Sequence, residues 1–173
     1  MKVIFLDIDG VLATPRQYGT VRTKLYSRDG SAAELRVPYM WDERCVIALN
    51  RFIRTHNLQI VLSSDWRLHF SEEQINRIFI INGVAASPIG FTPRLAKEES
   101  TESLESIRVR EIQAWLQSTP VDAWCAVDDM DLSGLGERFA RTDDRMGFGA
   151  RGFNEKITQA LYPGMALAEN GIF

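Results

Sequence analysis

Asp7-Ile8-Asp9-Gly10 and Asp128-Asp129 gather four carboxylates into two tight groups. Each group directly follows a short apolar run, Lys2-Val3-Ile4-Phe5-Leu6 in one case and Ala123-Trp124-Cys125-Ala126-Val127 in the other. A third run, Ile60-Val61-Leu62, stops as abruptly at Ser63. Carboxylates brought to one place repel unless a cation sits among them. A small set of hard oxygen ligands suits Mg²⁺, which keeps several waters and also binds phosphate oxygens. The plainer alternative makes Asp9-Gly10 a turn and Asp7 a cap, and the second acid pair at another strand end weighs against it.

The elements that must position these groups follow from periodicity. Apolar runs this short, bounded by polar residues, read as strands buried on both faces. Gly83-Val84-Ala85-Ala86 and Phe139-Ala140-Arg141 are shorter strand candidates. Between them, Asp42 to Thr55 spaces Val46, Leu49 and Ile53 as one helix face, and Ser71-Glu72-Glu73-Gln74 is a capping box opening a second helix. Ser103 to Gln117 carries a stripe of Leu104, Ile107, Ile112, Trp115 and Leu116, and Asn154 can cap a last helix that Pro163-Gly164 ends. Alternating buried strands and amphipathic helices predict an α/β domain with a mainly parallel sheet. Ligands of such folds lie beyond the carboxyl ends of the strands, where Asp7, Asp9, Ser63, Asp128 and Asp129 fall.

Composition sets the frame. The 173 residues carry 20 Lys+Arg against 23 Asp+Glu, a net charge of −3, with 45% hydrophobic and 25% charged residues. That describes one ordinary globular domain and excludes disordered, collagenous and coiled-coil classes. A globally basic nucleic-acid surface is not indicated. Cys45 and Cys125 are too few for a disulfide framework and read as reduced, mostly buried thiols. No apolar stretch approaches the length of a membrane helix, and the acids of MKVIFLDID interrupt any signal-like segment, so a cytoplasmic protein without membrane partners is expected. Residues 14–40 read as a flap or hairpin with turn signals, and 87–102 as a solvated loop. Within 14–37, Arg16, Arg22, Lys24, Arg28 and Arg36 outnumber Asp29 and Glu34, a local +3 with Tyr18 and Tyr26 interleaved. Such a segment could receive a phosphorylated polymer or nucleotide, or simply be a solvated hairpin.

FLDIDGVL resembles the DxDxxx[VL] first motif of the haloacid dehalogenase (HAD) superfamily of phosphohydrolases. VLSSDWR is similar to its second motif and AVDDMD to its fourth, in matching order. More narrowly, SSDWR, RVREIQAWL and VDDMD resemble the HAD domains associated with Swiss Army Knife RNA-repair proteins. The resemblance implies a three-layer α/β/α Rossmann-like fold over 1–173, with a central parallel sheet, the short flap and no large cap. It makes Asp7 the nucleophile that forms an aspartyl-phosphate, and Asp9 the acid that protonates the leaving group and then activates water. Mg²⁺ would be held by Asp7, the backbone carbonyl of Asp9, and Asp128 with Asp129. Ser63 would hydrogen-bond a phosphate oxygen, with Ser64 in that role if the register slips by one.

A third motif requires a cation beside the nucleophile. Arg108 lies four residues before Ile112 and seven before Trp115, on the inward stripe, and the R-x-x-E-I pattern of the resembled group selects it as well. Arg110, on a face shared with Gln113 and Gln117, and Lys97 compete for the role. Trp66-Arg67 either contacts substrate or packs at a helix start. Asp131, Asp143 and Asp144 read as solvated loop acids rather than support for a metal, and His56 and His69 as surface residues. Gly147 to Gly152 satisfies GxGxxG, but no strand precedes it and too little chain follows for a dinucleotide site. The expected activity is Mg²⁺-dependent phosphomonoester hydrolysis, on a nucleotide, a nucleic-acid end or another phosphomonoester, with the oligomeric state left open. Two other readings compete: a phosphoacceptor signalling domain of the receiver type, disfavoured by Ser63 at the second strand end, and a catalytically idle HAD-like binding domain.

Overall fold

In the computed structural model, the described residues are 1–14 and 41–165. The expected flap lies outside them apart from Thr14. Strands β1 (Lys2–Leu6), β2 (Leu58–Leu62), β3 (Gly90–Phe91), β4 (Ala123–Asp128) and β5 (Phe139–Arg141) form one sheet in the order β3-β2-β1-β4-β5. Every neighbouring pair is parallel. The chain builds outward from β1 to β3, returns across the sheet, and builds outward again through β4 to β5. The order therefore reverses between β1 and β4, the point at which open α/β sheets leave a crevice.

Helices α1 (Glu43–His56), α2 (Glu72–Ile81) and α4 (Phe153–Leu161) contribute buried apolar residues to one side of the sheet, and α3 (Leu104–Ser118) covers the other. The alternation of the strands decides which residue meets which layer. Ile4, Leu6, Ile60, Leu62, Cys125 and Val127 join the larger core with α1, α2 and α4. Val3, Phe5, Val61 and Ala126 join the smaller one, where Ile112 of α3 is buried among them. Phe5 anchors that second layer, with Trp115 and Trp124 edge-on to its ring at 5.3 and 5.8 Å. Asp42, Ser71 and Ser103 cap α1, α2 and α3, and the predicted capping box at Ser71 and Gln74 is complete. Both cysteines are free and buried. Among the described residues no helix is long and apolar enough to cross a membrane.

Several local expectations are corrected. Gly83 to Ala86 is not a strand. It forms the turn that closes α2, with Gly83 at φ +75° and the Val84 amide bonded back to the Phe79 carbonyl at 3.0 Å. The third strand is instead Gly90–Phe91, inside the segment read as a solvated loop, and it pairs with Val61 and Leu62. Asn154 lies inside the first turn of α4, and the cap position belongs to Gly152 at φ +78°. In α3, Leu104 is exposed while Arg108 and Glu111 are buried beside Ile112. The start of α3 faces the polar end of the sheet, where ion pairs rather than apolar contacts fill the interface.

Replacing Phe5 by Ala should remove the anchor between β1 and α3 and cost about 3–5 kcal/mol of folding free energy. Urea unfolding monitored by fluorescence checks this, and a lowered midpoint with an unchanged slope is the expected result.

Candidate active site

The backbone ladders run one residue past the apolar strands. The Asp7 amide donates to the Val127 carbonyl and the Ser63 amide to the Leu6 carbonyl, both at 3.0 Å. Because Leu6 pairs with both Leu62 and Val127, Asp7 stands abreast of Ser63 and Asp128. Side chains alternate, so these three residues turn to the face opposite that of Leu6, Leu62 and Val127, the face covered by α3. All three are buried, Asp128 completely. A row of three polar side chains thus ends the central strands at the point where strand order reverses.

Arg108 reaches this row from the second turn of α3. Its Nη1 lies 2.9 Å from Asp128 Oδ2 and 3.3 Å from Asp7 Oδ1, and its Nη2 lies 2.8 Å from Asp65 Oδ1. Burial raises the Asp7 carboxyl well above the ordinary carboxylate range, Asp128 adds to that rise, and Arg108, the Ser64 hydroxyl and the Ile8 amide oppose it. Burial likewise lifts Asp128 from 3.8 to about 6, again against the pull of Arg108. The competing cations lie elsewhere. Arg110 pairs with Glu98 at 2.6 Å and Glu102 at 2.8 Å toward solvent, and Lys97 is exposed.

The loop after β1 brings in the remaining acids. Leu12 and Ala13 donate their amides to the Ile8 carbonyl, coiling the chain so that Gly10 adopts φ +68°. A Cβ on Gly10 would stand 2.5 Å from the Asp129 carboxylate, so only glycine lets these segments approach. Thr142 Oγ1 donates to the Gly10 carbonyl at 3.0 Å and ties the loop to the chain beyond β5. One oxygen from each of Asp7, Asp128 and Asp129 lies within 4.8 Å of the others. Three carboxylate oxygens, two of them on buried groups that resist ionising alone, are a donor set fitted to a hard divalent cation such as Mg²⁺. The Asp9 side chain stands apart from that set. It accepts from Trp66 Nε1 at 3.0 Å.

Four of the five SSDWR side chains have partners among the described residues, and Ser63 is the exception. The Ser63 hydroxyl is 1% exposed and has no hydrogen-bond partner among the described residues. The Ser64 hydroxyl favours the ionised form of Asp7 and also caps a 3-10 helix over Asp65–Leu68. Asp65 holds Arg108 and Trp66 holds Asp9. The Arg67 side chain turns inward. It donates to the carbonyls of Ser63, Ser64 and Thr92 at 3.1, 2.7 and 3.2 Å and pairs with buried Glu111. Glu111 in turn accepts from the Leu95 amide at 3.0 Å. The parts played by Asp65 and Glu111 were not read from sequence. The signal for Glu111 was its i,i+3 spacing from Arg108, which places both on one face.

The remaining candidates fall away from the row. Asp131 and Asp143 are exposed and cap local turns through the amides of Ser133, Arg145 and Met146, and Asp144 is exposed. His69 is exposed, whereas His56 is half-buried between Phe52 and Tyr162, a correction to the surface position expected for it. Gly147 of the GxGxxG match is a packing glycine at φ +56°, pressed against the Val11 carbonyl and Cys45.

The two buried acids set a pH dependence. In the unfolded chain both ionise near their ordinary values, but in the folded chain only at higher pH; the contribution of Asp128 to stability is fully present below 3.8 and is lost as pH rises through about 6, and that of Asp7, raised in the same direction, is likewise lost toward higher pH. Without metal, thermal or urea unfolding should show wild type losing about 1–3 kcal/mol relative to Asp128→Asn between about pH 4 and pH 7. Added Mg²⁺ should stabilise the folded chain more at the higher pH, because its ligands must be deprotonated.

Residues 3–152 match the family described as the HAD domain in Swiss Army Knife RNA repair proteins. Comparison with curated proteins and with solved structures returned no match. The family match spans the sheet, α1 to α3 and every residue of the row described above, and at the level of the superfamily it supports a phosphohydrolase. The chain belongs to the haloacid dehalogenase superfamily, in the family of HAD domains found in Swiss Army Knife RNA repair proteins.

Proposed function

We propose that the chain is a Mg²⁺-dependent phosphomonoesterase acting through an aspartyl-phosphate on Asp7. The observation that carries this reading is the row in which Arg108 reaches Asp7 and Asp128 beside a Ser63 hydroxyl that has no partner among the described residues. Asp7 attacks in its ionised form, which burial and Asp128 oppose, Arg108 favours, and a cation held beside it would favour further. An Asp7 oxygen attacks phosphorus as the bond to the leaving oxygen breaks, and Asp9 gives that oxygen its proton. A water then attacks the phosphorus of the aspartyl-phosphate and gives its proton to Asp9, which releases phosphate and restores Asp7. Ser63 donates its hydroxyl hydrogen to a phosphate oxygen and fixes its orientation. Mg²⁺, held by Asp7, Asp128, Asp129 and the Asp9 carbonyl, would neutralise the phosphate charge that otherwise repels a carboxylate nucleophile.

The substrate class proposed is a phosphorylated nucleotide or nucleic-acid end. The name of the family favours the nucleic-acid end. A short flap over 14–40 in place of a large cap, as expected from the sequence, would likewise leave the crevice open to a polymer.

Hydrolysis of p-nitrophenyl phosphate tests the mechanism. Asp7→Asn should lose at least about 1,000-fold in kcat, and Asp9→Asn about 100- to 10,000-fold. Chelation should abolish turnover and added Mg²⁺ restore it. Undiminished turnover in Asp7→Asn would remove the nucleophile and the proposal with it.

A further inference from the structure

Trp66 is 7% exposed, and its indole Nε1 donates to Asp9 Oδ2 at 3.0 Å. Burial alone does not demand that bond. Trp41, 4% exposed, keeps its own Nε1 without a partner among the described residues. The indole of Trp66 is pinned from several sides. Trp41 stands edge-on at 6.0 Å and Phe70 lies at 5.5 Å. Its backbone amide donates to Ser64 Oγ at 3.4 Å, and its carbonyl accepts from the His69 and Phe70 amides at 3.0 Å. Arg67, the next residue, is held by three carbonyls and Glu111. A rigid donor therefore meets Asp9, an acid that lies outside the metal-fitted set.

We infer that Trp66 is a positioning residue for the proton-transfer acid: its N–H holds Asp9 Oδ2 as an acceptor and so directs the transferable proton to Oδ1. The inference rests on the phosphatase reading above and adds a determinant of its chemistry. An indole nitrogen has one hydrogen and no lone pair to accept with, so it can donate to Oδ2 whether Asp9 is protonated or ionised. It never competes for the proton. When the bond from phosphorus to the leaving oxygen breaks, the Oδ1 proton passes to that oxygen, and Oδ1 later takes the proton of the attacking water. The bond from Trp66 is charge-assisted while Asp9 is ionised. Its strength lies in direction, since misplacing a catalytic group by about 1 Å can cost about 100-fold in rate.

Trp66→Phe keeps a ring between Trp41 and Phe70 and deletes only the donor. The measurement is kcat/KM, which reports the step that expels the leaving group, for phosphomonoesters ranging from p-nitrophenyl to simple alkyl phosphates with Mg²⁺ present. Poor leaving groups need the proton most. The variant should lose about 10- to 100-fold on alkyl phosphates and several-fold less on p-nitrophenyl phosphate, and the loss should vanish in an Asp9→Asn background. Equal losses on every leaving group, or none, overturn the inference. Should the variant fail to fold, the intact chain answers instead. Asp9→Asn should move the indole N–H resonance of Trp66 more than those of Trp41, Trp115 and Trp124, and an unmoved Trp66 signal overturns the inference. Asp7→Asn separates the two levels. If it stays active the phosphatase reading fails, and if it is inactive while Trp66→Phe shows no leaving-group dependence, only the role of Trp66 fails.

Discussion

Two carboxylates buried side by side at the end of an apolar sheet are the arrangement on which the rest of this structure depends. Burying one charge is costly, and burying two like charges is worse. Arg108 makes the pair tolerable by reaching both Asp7 and Asp128 with one guanidinium nitrogen and Asp65 with another. A buried ion cluster of this kind adds little net stability, yet removing its cation would strand the acids. The position of Arg108 is therefore a requirement passed to α3, and through α3 to the contact of Trp115 with Phe5. Packing on the hidden face of the sheet and electrostatics at its end are one constraint seen at two places.

The segment after β2 shows how closely such a constraint can be met. Five consecutive residues divide the work: Ser63 faces the row, Ser64 favours the ionised form of Asp7, Asp65 holds Arg108, Trp66 holds Asp9, and Arg67 fastens the segment to α3 through Glu111. Regular structure alone would not deliver five different side chains to five places. The 3-10 helix over Asp65–Leu68 turns three of them, Asp65, Trp66 and Arg67, in different directions, while Ser64 caps its start. Gly10 plays the matching part opposite, where the lack of a side chain admits Asp129.

What could be read from the sequence followed from how much of each signal was local. Continuous apolar runs ending in acids or serine marked β1, β2 and β4, and fixed spacing placed Arg108 on the inward face of α3. A capping box marked the start of α2, while Asn154, read as the cap of the last helix, lies inside α4. Strand β3 escaped because two residues carry no periodicity, and Gly83 to Ala86 misled because a buried Val84 in a helix-closing turn looks like a strand fragment. Asp65 and Glu111 could not be assigned their parts from local pattern, since their meaning appears only when the segment after β2 meets α3. The inward turn of Arg67 has the same origin: three backbone carbonyls collected from two strand ends form its site.

The two border strands of the sheet have a consequence for behaviour in crowded solution. Strand β3 is two residues long and β5 three, against five or six for the strands between them. A foreign strand approaching either border would find room for only two or three backbone pairings before the ladder ran out, too few to seed a cross-chain sheet. The longer, mostly apolar strands, which would template fibril growth if they stood at the margin, are enclosed at the centre. The same ordering that puts β1 and β4 together for chemistry keeps the most aggregation-prone sequence in the molecule away from its neighbours.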